Sequence, residues 1–448
     1  MKIRRHRVIT WVSVFYAAFL GHPSALAIDY NGRITTGGYL AKEHLRESLD
    51  GSQENDFATI SSRFYLGVSK LDGRYLETIA DVRDKHDFFD KLDRERLTLN
   101  SQNRLQARQL SLKYPNPSGF FGTLGRFPLL DAGAVFADGA HAGYTLTPAW
   151  SVAAFGGLNP KRGDQTYLEF NKDSYVFGGY FLYEPPARSW TRYTYLTNAF
   201  VTQKVRTETD RSYWYHNLVF QPSASVRIIT LGYLDFVPRL HLQNLQASYY
   251  QEYRRDLSSV LRLSSIDVIE YARIRGVRER LTPSAYKEGS LRGTLRTGKT
   301  VSWQATGIYG LRQVDEKNRI EGNLGILLNE WVGRRINTTG LLGYRRNFTS
   351  NDAFARLVLG YYPEKWEFML SAESGIEKYD SGTTLYPVVG EASFARYISQ
   401  SVYATFSAQE ALDSNASIFS AFLKINYRFG SKKIPPVRDG APPLRGEL

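Results

Sequence analysis

The densest chemistry in this sequence is guanidinium chemistry. Between Arg254 and Lys299 stand 11 basic residues against five acidic ones, a local excess of six positive charges. Arg273, Arg275, Arg278, Arg280, Arg292 and Arg296 fall at short intervals within it. Guanidinium groups stay charged and fork onto carboxylates and phosphates, so such a cluster attracts anions rather than breaking bonds. Bond-breaking groups are sparse. The chain has no cysteine, which removes thiolate nucleophiles, disulfides and thiolate-bound metals together. Its seven histidines are scattered, and His6 and His22 lie at the extreme N-terminus. Asp84, His86, Asp87 and Asp90 have metal-ligand spacing, but Arg83, Lys85, Lys91 and Arg94 interleave with them, as in a mixed-charge solvent loop. No HExxH, GxSxG or phosphate-cradling GxxxxGK[ST] motif is present. Catalytic, cofactor-binding and metal residues are therefore assigned to none, and a non-enzyme is expected. A rim-sited barrel enzyme would need converging Asp/His or Ser/His groups, which sequence alone does not place.

The elements that position these arginines are strands. A membrane strand is about 10 residues long, with apolar residues at every second position. From Trp366, the residues Phe368, Leu370, Ala372 and Ile376 fall on one face, and Glu367, Ser371, Glu373 and Glu377 on the other. Val301, Trp303, Ala305, Gly307, Tyr309 and Leu311 alternate with Ser302, Gln304, Thr306 and Arg312, and the same design recurs at Ala355 to Tyr361. Aromatics make up 14% of the chain, with 30 Tyr, 25 Phe and 7 Trp, many near strand ends as in an interfacial girdle. Apart from the N-terminal leader, no stretch offers the about 20 apolar residues of a membrane helix. Around Ala140 to Pro160 the punctuation is that of a hairpin, Tyr144 to Thr147, then Pro148-Ala149, then Trp150 to Phe155. Backbone groups in lipid must be bonded internally, so strands cross a membrane only as a closed cylinder. The expected fold is all-β, a single transmembrane antiparallel β-barrel over residues 28–429. Candidate strands number 21, and even counts are the rule, so about 20 strands are expected, within 18 to 22. A barrel of that size encloses water or needs a plug.

Arg292 and Arg296 share a face with Thr294, opposite Leu291, Gly293 and Leu295. A charge facing mid-bilayer costs about 2–4 kcal/mol, which directs both into the lumen. The basic group as a whole fits two settings equally, lining the lumen, or lining periplasmic turns or touching lipopolysaccharide phosphates. Over residues 257–283 alternation fades, and Ile266, Ile269, Ile274, Val277 and Leu281 approach helical spacing behind Ser264 or Ser265 as an N-cap. A helix, a loop and a distorted hairpin all fit. If the segment enters the lumen, Arg273, Arg275, Arg278 and Arg280 form a basic constriction.

The two ends read as processing and tail segments. Lys2, Arg4, Arg5 and Arg7 precede an apolar run from Val8 to Leu20, followed by His22-Pro23 and then Ala25-Leu26-Ala27. This is the three-part pattern of a secretory signal peptide over residues 1–27, with Ala25 and Ala27 at the cleavage site. Cleavage leaves 421 residues with net charge +9. Residues 430–448 are Pro-rich and polar, the composition of a disordered periplasmic tail.

In the last candidate strand, Phe419, Ala421, Leu423, Ile425, Tyr427 and Phe429 alternate with Ser420, Lys424, Asn426 and Arg428. Here the chain resembles the bacterial outer-membrane β-barrels of porin-like type. Their closing strand ends in an aromatic read by the barrel-assembly machinery, and Tyr427 and Phe429 occupy that place. The chain departs from the pattern by continuing for 19 residues beyond Phe429. The resemblance implies the outer membrane of a Gram-negative bacterium, with its lipid and lipopolysaccharide as surroundings. It also implies assembly by that machinery, either as a monomer or a homotrimer, and no nucleic-acid partner. No domain precedes the first strand, so the plug of TonB-dependent receptors is not expected. A second run (Leu110 to Tyr114, Gly125-Arg126, Asp131, Asp138-Gly139, Phe155 to Pro160) is similar to that of porin-like proteins including the alginate-export type. Asp-Gly and Gly-Gly pairs also mark hairpins in any β-protein. The expected function is an outer-membrane porin, a channel for passive diffusion of small hydrophilic solutes biased to anions, either a small anionic solute or an anionic polymer. The alternative is the barrel component of a larger export conduit or scaffold, of the polysaccharide-export type or a sheath for a periplasmic partner.

Overall fold

The computed structural model describes residues 28–45, 53–89, 104–160, 170–186, 192–237, 241–254, 256–267, 286–312, 316–331 and 335–431. The leader with Ala25 and Ala27, the tail beyond Ser431 and the arginines Arg273, Arg275, Arg278 and Arg280 lie outside the described residues.

Twenty-two strands follow one another around a single sheet. The first eleven are β1 (Asp29–Leu45), β2 (Gln53–Ser69), β3 (Glu77–Phe89), β4 (Arg104–Tyr114), β5 (Phe120–Leu129), β6 (Val135–Thr147), β7 (Trp150–Leu158), β8 (Ser174–Tyr183), β9 (Tyr193–Val205), β10 (Glu208–Gln221) and β11 (Val226–Val237). Then come β12 (His241–Arg254), β13 (Leu257–Asp267), β14 (Tyr286–Arg296), β15 (Val301–Arg312), β16 (Asn318–Leu328), β17 (Ile336–Arg346), β18 (Ser350–Tyr361) and β19 (Trp366–Tyr379). The last three are β20 (Thr384–Leu385, resumed at Val388–Tyr397 after Tyr386-Pro387), β21 (Val402–Leu412) and β22 (Ala416–Gly430). Each strand pairs antiparallel with the next, and β22 pairs with β1 from Ala416–Leu45 to Gly430–Asn31, which closes the cylinder. No described helix is long and apolar enough to cross a membrane; the crossing elements are strands.

The count is one above the 21 candidate strands, and the added strand is β13. Residues 257–267 are extended and bonded on both sides, to β12 and β14, rather than helical. The alternation is blurred there because Val260 points with the polar set, while Ser259 and Ser265 point with Leu257, Leu261 and Leu263.

Exposure alternates without a break from Trp366 to Tyr379. The outer face carries the large apolar side chains; Leu324 and Leu342 remain 66% and 65% exposed, which only lipid makes tolerable. The seam is locked by the last strand. Phe429 lies over Gly32, where a Cβ would sit 2.1 Å from its ring, and stacks with Phe64 and Tyr427. Tyr427 and Phe429 thus face outward at the seam. The longest connections, 90–103, 159–173 and 268–285, all join strands at the end of the barrel opposite the termini.

Candidate functional site

The functional space of a barrel is its lumen, and here it is built asymmetrically. Between β5 and β6 the wall folds inward. β5 pairs with β4 only as far as Arg126, and β6 pairs with β7 only as far as Asp138. Beyond these points β5 and β6 bond to each other alone, from Phe127–Ala137 to Leu129–Val135. This tip leaves the wall and packs on the inner faces of β8 to β11. Phe127, Val135 and Ala137 are buried there against Val176, Ala199, Val201 and Tyr213.

Glycines form the hinge. Gly125 has φ +111°, and a Cβ on it would lie 2.3 Å from the Leu110 carbonyl oxygen. On the other side Gly139 and Gly157 cross so closely that a Cβ on Gly139 would lie 2.1 Å from the Gly156 oxygen. Arg126 clasps Asp138 across the hinge through two bonds, Nε to Oδ1 at 2.5 Å and Nη2 to Oδ2 at 2.6 Å. Its Nη1 donates to the Ala107 carbonyl at 3.1 Å. The two side chains are 12% and 1% exposed, so this is a desolvated, bidentate pair.

The tip ends in a short 3₁₀ turn, Leu130–Ala132, closed by Gly133 at φ 79°. Hydroxyls on three other strands hold it. Thr197 Oγ1 donates to the Asp131 carbonyl at 2.8 Å, and the Tyr195 hydroxyl donates to the Asp131 carboxylate. Tyr213 donates to the Ala132 carbonyl at 3.3 Å and Tyr233 to that of Gly133 at 3.2 Å. Below the tip, His141 Nε2 and the Tyr180 hydroxyl are 2.9 Å apart with their rings stacked. The sequence motifs Gly125-Arg126, Asp138-Gly139 and Gly156-Gly157 are thus the hinge of a folded-in hairpin. The tyrosines that pin it carry no local signal.

The facing wall is wet. The register places Arg262, Arg292 and Arg296 on one face with Ser258, Ser290, Thr294, Gln304 and Thr306, opposite Leu261, Leu291, Leu295 and Trp303. All three arginines are exposed, and none forms an ion pair with a described acid. Several other lumenal arginines are neutralised. Arg63 holds Asp81 at 2.6 Å, Arg211 holds Asp235 at 2.9 Å, and Arg345 holds Asp352 at 2.5 Å. Arg319 bridges Glu321 at 2.5 Å and Glu288 at 3.6 Å. Acids without an ion-pair partner stand on β19 and β20; Glu367 accepts a hydrogen bond from Tyr397 at 2.8 Å, and Glu391 lies beside Ser371. The Asp84 and His86 side chains meet at 2.9 Å; the Asp87 side chain and Asp90 lie outside what is described. Among the described residues no group of three or more acids or histidines is placed to hold a metal.

A closed antiparallel cylinder with an even strand number, a lipid-facing apolar band and a water-lined interior has one natural setting. The chain is an outer-membrane β-barrel.

No family model matches the sequence, and no curated protein does. Among solved structures, the barrel is similar to OccK7 (OpdD) of Pseudomonas aeruginosa at 9% identity, covering 91% of this chain and 100% of that one, with a TM-score of 0.45. OpdO of the same organism gives 9% identity, 90% and 98% coverage and a TM-score of 0.41. A bacterial polysaccharide outer membrane secretin gives 8% identity, 89% and 98% coverage and a TM-score of 0.32.

Proposed function

We propose that the barrel is a passive diffusion channel for small hydrophilic solutes, biased to anions, with the β5–β6 hairpin as its fixed narrowing element. The observation that carries this reading is the contrast between the two sides of the lumen. Among the described residues, the cluster of buried apolar side chains lies on β5 through β11. The wall of β12 to β15 is polar and presents Arg262, Arg292 and Arg296 to water without acidic partners among the described residues. Cations lining a low-dielectric passage concentrate anions within it. Arg273, Arg275, Arg278 and Arg280 join this wall if their connection turns inward. The leader delivers the chain across the inner membrane and is removed after Ala27.

Reversal potentials in asymmetric KCl across planar bilayers test the proposal. The expected sign is that of anion preference, and R292Q/R296Q moves the reversal potential toward zero or through it. Cation preference in the unaltered barrel, or no conductance from folded protein, refutes it.

A further inference from the structure

The outer face of β14 to β19 is dented. A concavity of about 840 Å³ opens there toward lipid, floored by small residues including Gly293, Ala305, Gly340, Ala355 and Ala372. The exposed Leu324 and Leu342 also line it, side by side between Ala305 and Ala355. Register fixes what stands above it. The row Leu342, Ala355 and Ser374 belongs to the concavity; one pleat nearer the end with the longest connections, the extracellular end in outer-membrane barrels, lie Tyr344, Ala353 and Ile376, and one pleat further Arg346, Asn351 and Lys378. These last three are lateral neighbours on the outer face of β17, β18 and β19, four residues from the dent, about 13 Å along the strand. Arg346 and Lys378 are exposed, and neither pairs with a described acid. The Tyr344 hydroxyl donates to Asn351 Oδ1 at 3.2 Å, which holds the amide between the two cations. At the opposite rim the same wall ends in Tyr361 and Trp366, with the Arg396 guanidinium 4.2 Å from the centre of the Trp366 ring.

We infer that this wall is a binding site for a phosphorylated, multiply acylated glycolipid of the outer leaflet, the chemistry of lipopolysaccharide. Acyl chains fill the concavity, and a phosphate rests between Arg346 and Lys378. A guanidinium forks onto phosphate oxygens, and a lysine adds a point charge. Arg346 and Lys378 flank Asn351 on neighbouring strands, and an anionic headgroup above apolar chains complements both parts at their observed separation. A second copy of this chain does not. Two such walls related by a two-fold axis repeat one patch on both partners and bring like charges together. The inference takes the membrane setting from the fold and is independent of ion selectivity, so a failed reversal-potential test leaves it standing.

The test is native mass spectrometry of the detergent-purified full chain, titrated with bisphosphorylated lipid A and with the same lipid stripped of phosphate. The unaltered barrel is expected to retain bisphosphorylated lipid A, and R346Q/K378Q to retain at least fivefold less. Ala355→Trp, which obstructs the floor of the concavity and keeps both charges, is expected to lower retention as well. Single-channel conductance equal to that of the unaltered barrel identifies folded variants, since none of these side chains faces the lumen. Equal retention by the unaltered barrel and R346Q/K378Q, equal retention of both lipids, or an unaltered barrel that takes up no lipid and forms a dimer broken by Ala355→Trp overturns the inference.

Discussion

The folded-in hairpin should be releasable without unfolding the barrel, and its tyrosine hydroxyls are the place to do it. Tyr195→Phe, Tyr213→Phe and Tyr233→Phe together remove one bond to the Asp131 carboxylate and two to the carbonyls of Ala132 and Gly133. A bond to a charged group contributes about 1.5–3 kcal/mol and a neutral one about 0.5–1.5. The neutral pair is long, at 3.3 and 3.2 Å, which puts it at the weak end. The triple variant therefore loses about 3 kcal/mol of docking free energy, roughly two orders of magnitude in the ratio of docked to released tip. The ring volumes stay, so Phe127 and Val135 keep their apolar contacts, and Thr197 keeps its bond to Asp131. Single-channel recording in high symmetrical KCl reads the result. The unaltered barrel should hold one steady level; the triple variant should show a noisier trace with excursions to larger conductance. Unchanged mean current and unchanged noise in a barrel with normal heat-modifiable mobility would show that the hairpin does not narrow the path.

Three further outcomes are expected. Gly32→Leu places side-chain atoms where the Phe429 ring lies, so the fraction of chain reaching the heat-modifiable barrel form should fall sharply, with Phe429→Ala giving partial relief in the double variant. Leu324→Arg puts a charge on the lipid face at a cost of about 2–4 kcal/mol and should depress urea stability in vesicles, whereas Thr306→Arg on the lumenal face should leave it nearly unchanged. In the turn between β2 and β3, the backbone N–H groups of Arg74, Tyr75 and Leu76 donate to Asp72 Oδ1 at 2.9, 2.8 and 2.9 Å and hold its carboxyl below the ordinary range. A depressed carboxyl stabilises the turn above its unfolded pKa and loses that contribution as pH falls through the folded one. Amide exchange at Arg74 to Leu76, corrected for intrinsic rate, should therefore be flat at neutral pH and quicken only in acid.

Much of the barrel is legible in sequence because lipid on one side and water on the other enforce period two. Trp366 to Tyr379 alternates so cleanly that its faces are assigned by inspection. Leu291 and Leu295 likewise fix the side on which Arg292 and Arg296 lie. Legibility fails where a face is mixed, as in β13, where serines take lipid-facing positions and Val260 a lumenal one. It fails more completely for the hairpin. Gly125-Arg126 and Asp138-Gly139 stand out as turn chemistry, yet whether a glycine makes a surface turn or a hinge depends on what waits across the lumen. The residues that decide it, Tyr195 and Tyr233, are 64 and 100 positions from their partners in the tip. No local window contains both.

The hairpin's departure has a mechanical consequence for how the cylinder sits. Above Arg126 and Asp138 no described strand bridges β4 to β7, so the main-chain edges there have lost their ladder, and Arg126 itself occupies one stranded carbonyl, that of Ala107. Hydrocarbon cannot wet such an edge. From the exposed ring of Phe120 to Arg126 is six residues, about 20 Å along the strand and about 16 Å along the axis at a tilt of about 40°. That is well short of the about 25 Å apolar band of an outer-membrane barrel. On this flank the bilayer must thin or the cylinder must lean, so the molecule rides in its membrane like a hull with one low gunwale.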